Sequence, residues 1–260
     1  MTLAQTFADR LAEVERRIAE ACRRSGRSRG EVNVIAVTKY VTADEAVRLV
    51  EAGIVHIGEN RWPDAREKAE RLAGRATLHF IGTLQSRKVK HVVGRFQYIH
   101  SLDRLSLAEE IEKRAAALGV TVPCFLQVNV SGETTKHGVP PEELFRLAEG
   151  LRGLSRVRPV GLMTMAPHES DPERTRPVFR ELRRLLAELN ARAIFDHELK
   201  ELSMGMSNDF EVAVEEGATW VRLGSILVGQ AGPAGDGAAG APASGDGERS
   251  GESWASSTAF

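Results

Sequence analysis

Cysteine is scarce in this chain: there are 2, Cys22 and Cys124, and neither belongs to a C-x-x-C pair. A disulfide framework and a cysteine-built zinc site are both excluded on that count. Tyrosine is equally scarce, with only Tyr40 and Tyr98. Any chemistry that needs a phenol must draw on one of them. The formal net charge is -1, so no global field favours nucleic acid or an anionic membrane surface. No apolar run approaches the roughly 18 residues of a membrane-spanning helix. The first residues carry Asp9, Arg10 and Glu13 rather than the apolar core of a signal peptide. These absences lead us to expect a cytoplasmic protein that binds neither nucleic acid nor membrane.

What is present is a repeated alternation of short apolar runs with amphipathic stretches. Leu3, Phe7, Leu11, Val14 and Ile18 recur at three- and four-residue spacing and predict an opening helix. Val32 to Val37 is apolar and β-branched and predicts a buried strand that ends at Thr38-Lys39-Tyr40. Thr42 and Glu45 have capping-box spacing, with Gly53 to close the helix that follows. Further strands are expected at 54–57, 77–81, 96–100, 122–130, 157–162, 201–204 and 219–223. Helices are expected at 62–72, 85–93, 103–118, 141–151, 173–190 and 208–216.

About eight strand–helix units in some 230 residues predict a single (β/α)8 TIM barrel, preceded by an extra helix. The strands are apolar runs rather than strict alternations, as in parallel sheets buried on both faces. An open doubly wound sheet is the alternative that periodicity alone leaves standing. We expect residues 1–230 to form this one domain. Residues 231–260 are rich in Gly, Ala, Ser and Pro, and we expect a low-complexity, disordered tail there with Trp254 as a stray aromatic.

In a barrel, functional groups come from the C-terminal ends of strands and the loops after them. Lys39 stands first among them. Placed after Val34-Ile35-Ala36-Val37 it would be partly desolvated, and a neutral lysine amine is a nucleophile for carbonyls. A lysine that merely reaches solvent is the simpler reading. Two late loops look like phosphate cradles: Ser203 through Asn208, and Arg222-Leu223-Gly224-Ser225. Glycine lets backbone N–H groups approach an anion, and serine adds hydroxyl donors. Ser207 or Asn208 could equally be a helix cap, and Gly224 a turn residue. Together the loops sit where barrels often bind phosphate. A lysine for an aldehyde and a cradle for a phosphate suggest pyridoxal 5′-phosphate.

Taken together, Val37-Thr38-Lys39, Gly58-Glu59-Asn60, His79 through Gln85, Gly161 through Thr164, Leu202 through Ser207 and Val221 through Gly224 resemble the pyridoxal phosphate homeostasis protein family. The likeness runs from the first helix to Gly229. It implies a barrel of the alanine racemase N-terminal-domain type. It implies that Lys39 holds the cofactor as a Schiff base and that Ser207, Gly224 and Ser225 hold the phosphate; Ser203, at the start of the first late loop, is a further cofactor-binding candidate. It places Arg222 at the pyridine nitrogen, with Asn60 and His79 lining the ring. It also implies a cofactor carrier with no catalytic turnover assigned. We expect apo-enzymes that use pyridoxal phosphate as transient acceptors, and a monomer, since the pattern shows no exposed apolar patch. Tyr40, Val228 and the tail depart from the family pattern.

Arg222 at the ring nitrogen would disfavour a second positive charge there and make the ring a poor electron sink, which suits racemase-type chemistry or simple holding of the cofactor better than transamination. A racemase is the alternative reading, but it needs a second acid/base on the face opposite the lysine. Strand alternation turns Tyr40 away from Lys39, and Tyr98 falls inside a strand, so both read as packing residues. A class I aldolase, whose lysine acts without a cofactor, is the third reading. Lys136, in the polar loop 131–138, offers a second amine that could capture the departing aldehyde. Arg87, Lys88, Lys90, His91 and Arg95 form a basic face that we read as solvated.

Overall fold

A 23-residue helix opens the computed structural model, which describes residues 3–229. This helix, α1 (Leu3–Ser25), follows from the spacing of its apolar residues: Phe7, Val14 and Ile18 are buried, with Ala21 and Cys22 continuing the same stripe. β1 (Asn33–Val37) and α2 (Ala43–Glu51) come next. The Thr42–Glu45 capping box that begins α2 is fully formed: the Glu45 N–H donates to Thr42 Oγ1, and the Thr42 N–H donates to the Glu45 carboxylate.

The chain then alternates through β2 (His56–Glu59), α3 (Arg66–Arg71), β3 (Thr77–Phe80), α4 (Val89–Val92), β4 (Tyr98–Leu102), α5 (Leu105–Leu118) and β5 (Val122–Gln127). It continues through α6 (Leu144–Leu151), β6 (Val157–Met163), α7 (Arg176–Ala191), β7 (Glu201–Ser203), α8 (Phe210–Glu215), β8 (Trp220–Leu223) and α9 (Ser225–Val228). All neighbouring strands are parallel, and β8 pairs back onto β1, with Ile35 opposite Arg222. The barrel is therefore closed in sequence order, and closure rules out the open doubly wound sheet. No described helix is long and apolar enough to cross a membrane. The expected disordered tail lies outside the described residues.

The core has two layers. One runs between strands and helices and includes Ala36, Ile57, Phe80, Ile99 and Leu223 with the buried faces of the helices. The other fills the barrel itself, where Ile35, Phe125, Met163 and Trp220 meet. Gly58 also faces inward. A Cβ there would lie 2.7 Å from Ile35 Cγ2, so only glycine lets β2 approach β1 this closely without repacking.

Three strands differ from expectation in position. β2 and β4 each lie two residues later, so Gly58-Glu59 and Ser101-Leu102 are within strands. β5 stops at Gln127, three residues before its expected end, where Val128 bridges to Val139 instead. An apolar run reports burial rather than ladder pairing, so it places strand ends only to within a few residues. The helix expected at 62–72 begins only at Arg66, and the one expected at 85–93 divides into a 3-10 turn and α4.

Candidate functional site

β1 ends at Val37, and the chain leaves the sheet through Thr38, Lys39 and Tyr40. The turn is held from behind. The Thr38 N–H donates to the Gly58 carbonyl, and Thr38 Oγ1 bonds to the Glu59 carboxylate. Lys68 of α3 donates its ammonium to the Thr38 carbonyl at 2.6 Å and pairs with Glu59 at 2.6 Å. Both charges are buried. Thr38, Glu59 and Lys68 thus fasten β1, β2 and α3 together directly behind Lys39.

Lys39 opens on a cavity of about 700 Å3 at the C-terminal end of the barrel. Its lining includes Ser207, Arg222, Gly224 and Ser225, so five of the residues singled out in the sequence meet there. The two late loops are bonded together. The Arg222 N–H donates to the Gly205 carbonyl at 3.0 Å, and the Gly224 N–H donates to Ser207 Oγ at 3.2 Å. Gly205 has φ +91, and a Cβ would sit 2.5 Å from the Ala213 Cβ. That position needs glycine on both conformational and packing grounds.

Lys39, expected to be partly desolvated by the apolar strand before it, is exposed, because β1 ends at Val37 and residues 39 and 40 form a turn. Its Nζ has no hydrogen bond or ion pair among the described residues. It lies 4.9 Å from the centre of the Tyr40 ring. Tyr40 is not the packing residue expected: it is 73% exposed and lines the same cavity. Strand alternation does not reach it, since residues 39 and 40 form a turn.

The remaining three candidates lie outside the cavity lining. Ser203 and His79 are buried inside the barrel. Asn60 follows β2, and its Oδ1 is buried with no hydrogen-bond partner among the described residues. Gly82 presses on Asn60 from the segment after β3; a Cβ at Gly82 would lie 2.1 Å from the Asn60 carbonyl oxygen.

Arg222 is buried, donating Nη1 to Ser203 Oγ at 2.7 Å and Nη2 to the Thr164 carbonyl at 2.8 Å. Burial pushes its guanidinium down to about 10, against the opposing pull of Asp209. Asp209 in turn is pushed above the usual carboxylate range by burial, although its Oδ1 accepts the Met206 N–H. Lys136 does not line the cavity. Its loop is tied down by Asn129, whose Nδ2 donates to the Glu133 carbonyl, and by Gln127, whose Nε2 donates to the His137 carbonyl. Lys136 itself lies 3.8 Å from Glu133.

Other hollows exist. One of about 740 Å3 includes Arg152, Arg158, Phe195 and His197, and one of about 500 Å3 includes His56, Gln97 and Tyr98. Both draw on the residues that begin strands, and neither contains a lysine. The chemistry-bearing set gathers at Lys39.

Residues 10–232 match the family described as alanine racemase, N-terminal domain. Over 223 residues the chain is 44% identical to the pyridoxal phosphate homeostasis protein of Aquifex aeolicus, covering 85% of this chain and 97% of that one. The chain belongs to the pyridoxal phosphate homeostasis protein family. A family member from Pseudomonas aeruginosa is 41% identical over 226 residues, covering 86% of this chain and 95% of its own. These relatives are named as homeostasis proteins rather than enzymes. The solved structure of PipY from Synechococcus elongatus with PLP bound aligns with a TM-score of 0.74 and 36% identity, over 86% of this chain and all (100%) of that one. Alanine racemase of Clostridium difficile aligns with a TM-score of 0.67 at 16% identity, over 88% of this chain but 58% of its own. That likeness extends to the fold alone.

Within this homeostasis-protein chain, sequence reading missed Lys68, Asp209, His100 and His168. Lys68 sits on a helix rich in charge and gave no sign of its burial. Asp209 looked like part of a helix start. His100 looked like the end of a strand. His168 lines the cavity from the segment after β6, where no motif marks it.

Proposed function

We propose that the cavity at Lys39 binds pyridoxal 5′-phosphate and that the protein holds and releases this cofactor without turning over a substrate. The observation that carries this reading is the unpaired Lys39 amine facing, in one cavity, a serine–glycine cradle built from two joined loops. When bound, the cofactor supplies an aldehyde that condenses with a primary amine. Lys39 would provide that amine. Ser207, Ser225 and the backbone around Gly224 would hold the phosphate through hydroxyl and N–H donors. Arg222 would stand at the ring nitrogen, fixed by Ser203 and the Thr164 carbonyl. The buried, unpartnered Oδ1 of Asn60 fits a group still to be satisfied at the edge of the ring. His79 is left out of the contact set, for it bonds only within the barrel.

Two features bear on carriage rather than catalysis. Arg222 is a buried cation, so it would oppose protonation of the ring nitrogen, which disfavours transamination but suits holding and racemization alike. Tyr40 contacts the Lys39 amine itself and therefore shares its side of the cavity. The racemase reading has one observation in its favour: His168, from another loop, lines the same cavity. Exchange of the α-proton of alanine in deuterated water, measured with cofactor-loaded protein, separates the two. Carriage predicts no exchange above cofactor alone, whereas exchange that Lys39→Ala abolishes would establish the racemase.

The working unit in this reading is residues 1–230, acting as a monomer in the cytoplasm, with apo-enzymes that use pyridoxal phosphate as transient acceptors. Transfer is measured by mixing loaded protein with an apo-enzyme and following its gain of activity. Transfer no faster than from free cofactor at the same concentration would leave storage, not delivery, as the role.

A further inference from the structure

Polar atoms run through the barrel in one unbroken line. His56 Nδ1 lies 3.1 Å from His79 Nε2, and His79 Nδ1 lies 3.0 Å from His100 Nε2. His100 Nδ1 lies 2.9 Å from Ser203 Oγ, which receives Arg222 Nη1 at 2.7 Å. Five strands contribute one residue each: β2, β3, β4, β7 and β8. The line begins in the hollow at His56 and ends at Arg222 in the wall of the Lys39 cavity. In every ring Nδ1 points toward Arg222 and Nε2 points away.

Each nitrogen–nitrogen contact holds one proton, so two neighbouring rings cannot choose tautomers independently. Only two arrangements satisfy the whole line: all protons on Nε2, or all on Nδ1. Arg222 selects between them, because a guanidinium donates and never accepts. With one lone pair of Ser203 Oγ taken by Arg222, the hydroxyl proton needs an acceptor. Among the described residues the only other partner of Ser203 Oγ is His100 Nδ1. Ser203 therefore donates to His100, His100 Nε2–H to His79, and His79 Nε2–H to His56.

The rings are neutral on physical grounds. Burial pushes His79 down to about 3, with the charge of His56 adding to it. His100 is held well below its ordinary value by burial, then by His79 and Arg222. His56 is lowered by burial. Glu201 accepts from the Thr219 hydroxyl and from Nε1 of Trp220, the ring beside His56, rather than from a histidine.

We propose that Ser203, His100, His79 and His56 form a one-way hydrogen-bond wire that positions Arg222 and stabilises its buried charge in place of a carboxylate. Among the described residues no carboxylate forms an ion pair with Arg222, although a buried, unpaired cation is costly. In this wire every dipole turns its negative end toward Arg222, and bonds in series polarise one another. Among the described residues Asp209 is the one carboxylate that favours the charged guanidinium, and it does so without an ion-pair contact; the wire adds to it, and the charge stays free to act on the ring nitrogen. This last consequence rests on the cofactor reading above; the order of the wire does not.

The experiment is 15N NMR of the histidine side chains in the full chain without cofactor at neutral pH. The result expected is three neutral rings with an accepting Nδ1 and a protonated Nε2. Ser203→Ala should lose that single pattern, moving the His100 nitrogens toward averaged shifts, and Ser203→Thr should restore it. An Nδ1–H tautomer or an imidazolium at any of the three positions in the unaltered protein overturns the wire. So do shifts that Ser203→Ala leaves unchanged. With pyridoxal phosphate bound, Ser203→Ala should move the visible absorption maximum and Ser203→Thr should not. An unchanged maximum overturns the action on the ring. Failure to bind the cofactor at all would remove the proposed function while the NMR result still decides the wire.

Discussion

Lys68 Nζ lies 2.6 Å from Glu59 Oε1 and 2.6 Å from the carbonyl oxygen of Thr38, the residue before Lys39. Removing one member of such a pair strands a buried charge. Lys68→Met is expected to cost about 3–5 kcal/mol, read as a fall in the denaturant midpoint. Lys68→Met combined with Glu59→Leu should recover part of it, since both charges leave together. A midpoint unchanged in the single variant would show that the pair does not hold the turn.

Glu216 joins α8 to α7. It is buried and faces Arg176, Arg180 and Arg183 at 3.1, 3.1 and 3.2 Å. Burial pushes its carboxyl up, but bonds from Arg180 and Arg176 outweigh that and leave it below the ordinary value. A depressed folded-state value means stability that is complete above the unfolded-state value and lost as pH falls through the folded one. Glu216→Gln should lower the thermal midpoint at neutral pH by an amount corresponding to about 2 kcal/mol. The difference from the unaltered protein should shrink on acidification below the ordinary glutamate range. A difference that stays constant into acid would contradict the ion-pair origin.

Gly82→Ala tests the link between fold and site. The added Cβ would meet the Asn60 carbonyl oxygen at 2.1 Å, and backbone cannot step aside as a side chain can. An expected loss of about 1–3 kcal/mol should come with weaker cofactor binding, measured by titration with pyridoxal phosphate. Gly153→Ala is the control, because a Cβ there meets nothing within 4 Å.

Ser207→Ala should weaken cofactor binding through loss of a charge-assisted hydrogen bond to phosphate. A bond to a charged group is worth about 1.5–3 kcal/mol, which is a rise in Kd of roughly 10- to 150-fold. Pyridoxal without the phosphate should bind the variant and the unaltered protein alike. Equal weakening for both ligands would place Ser207 elsewhere than at the phosphate.

The strand–helix alternation carried most of the fold because the outward face of each strand is apolar. Ala36, Ile57, Phe80, Ile99 and Leu223 all pack against helices, and that layer is what an apolar-run rule detects. The inward face was less legible. His56, His79, His100, Ser203 and Arg222 all fell inside expected strands, but nothing local marked them as one bonded line through the barrel interior, and β2 and β4 were placed two residues too early. At the site, Lys39, Ser207, Arg222, Gly224 and Ser225 were found because they lie at strand ends or in the late loops. Lys68 and Asp209 act through burial and partners far away in sequence, and neither property is written locally. The exposure of Lys39 and Tyr40 came from the turn after Val37: the apolar run ended where β1 ends, but strand alternation was carried two or three residues past it, where it no longer sets the direction of a side chain.

Borohydride reduction followed by peptide mapping tests the assignment of Lys39 most directly. Protein loaded with pyridoxal phosphate should lose its visible band on reduction and carry a stable adduct on the peptide containing Lys39. Lys39→Ala should carry none. An adduct on another lysine, Lys136 included, or a visible band that persists unchanged in Lys39→Ala, would contradict Lys39 as the anchor.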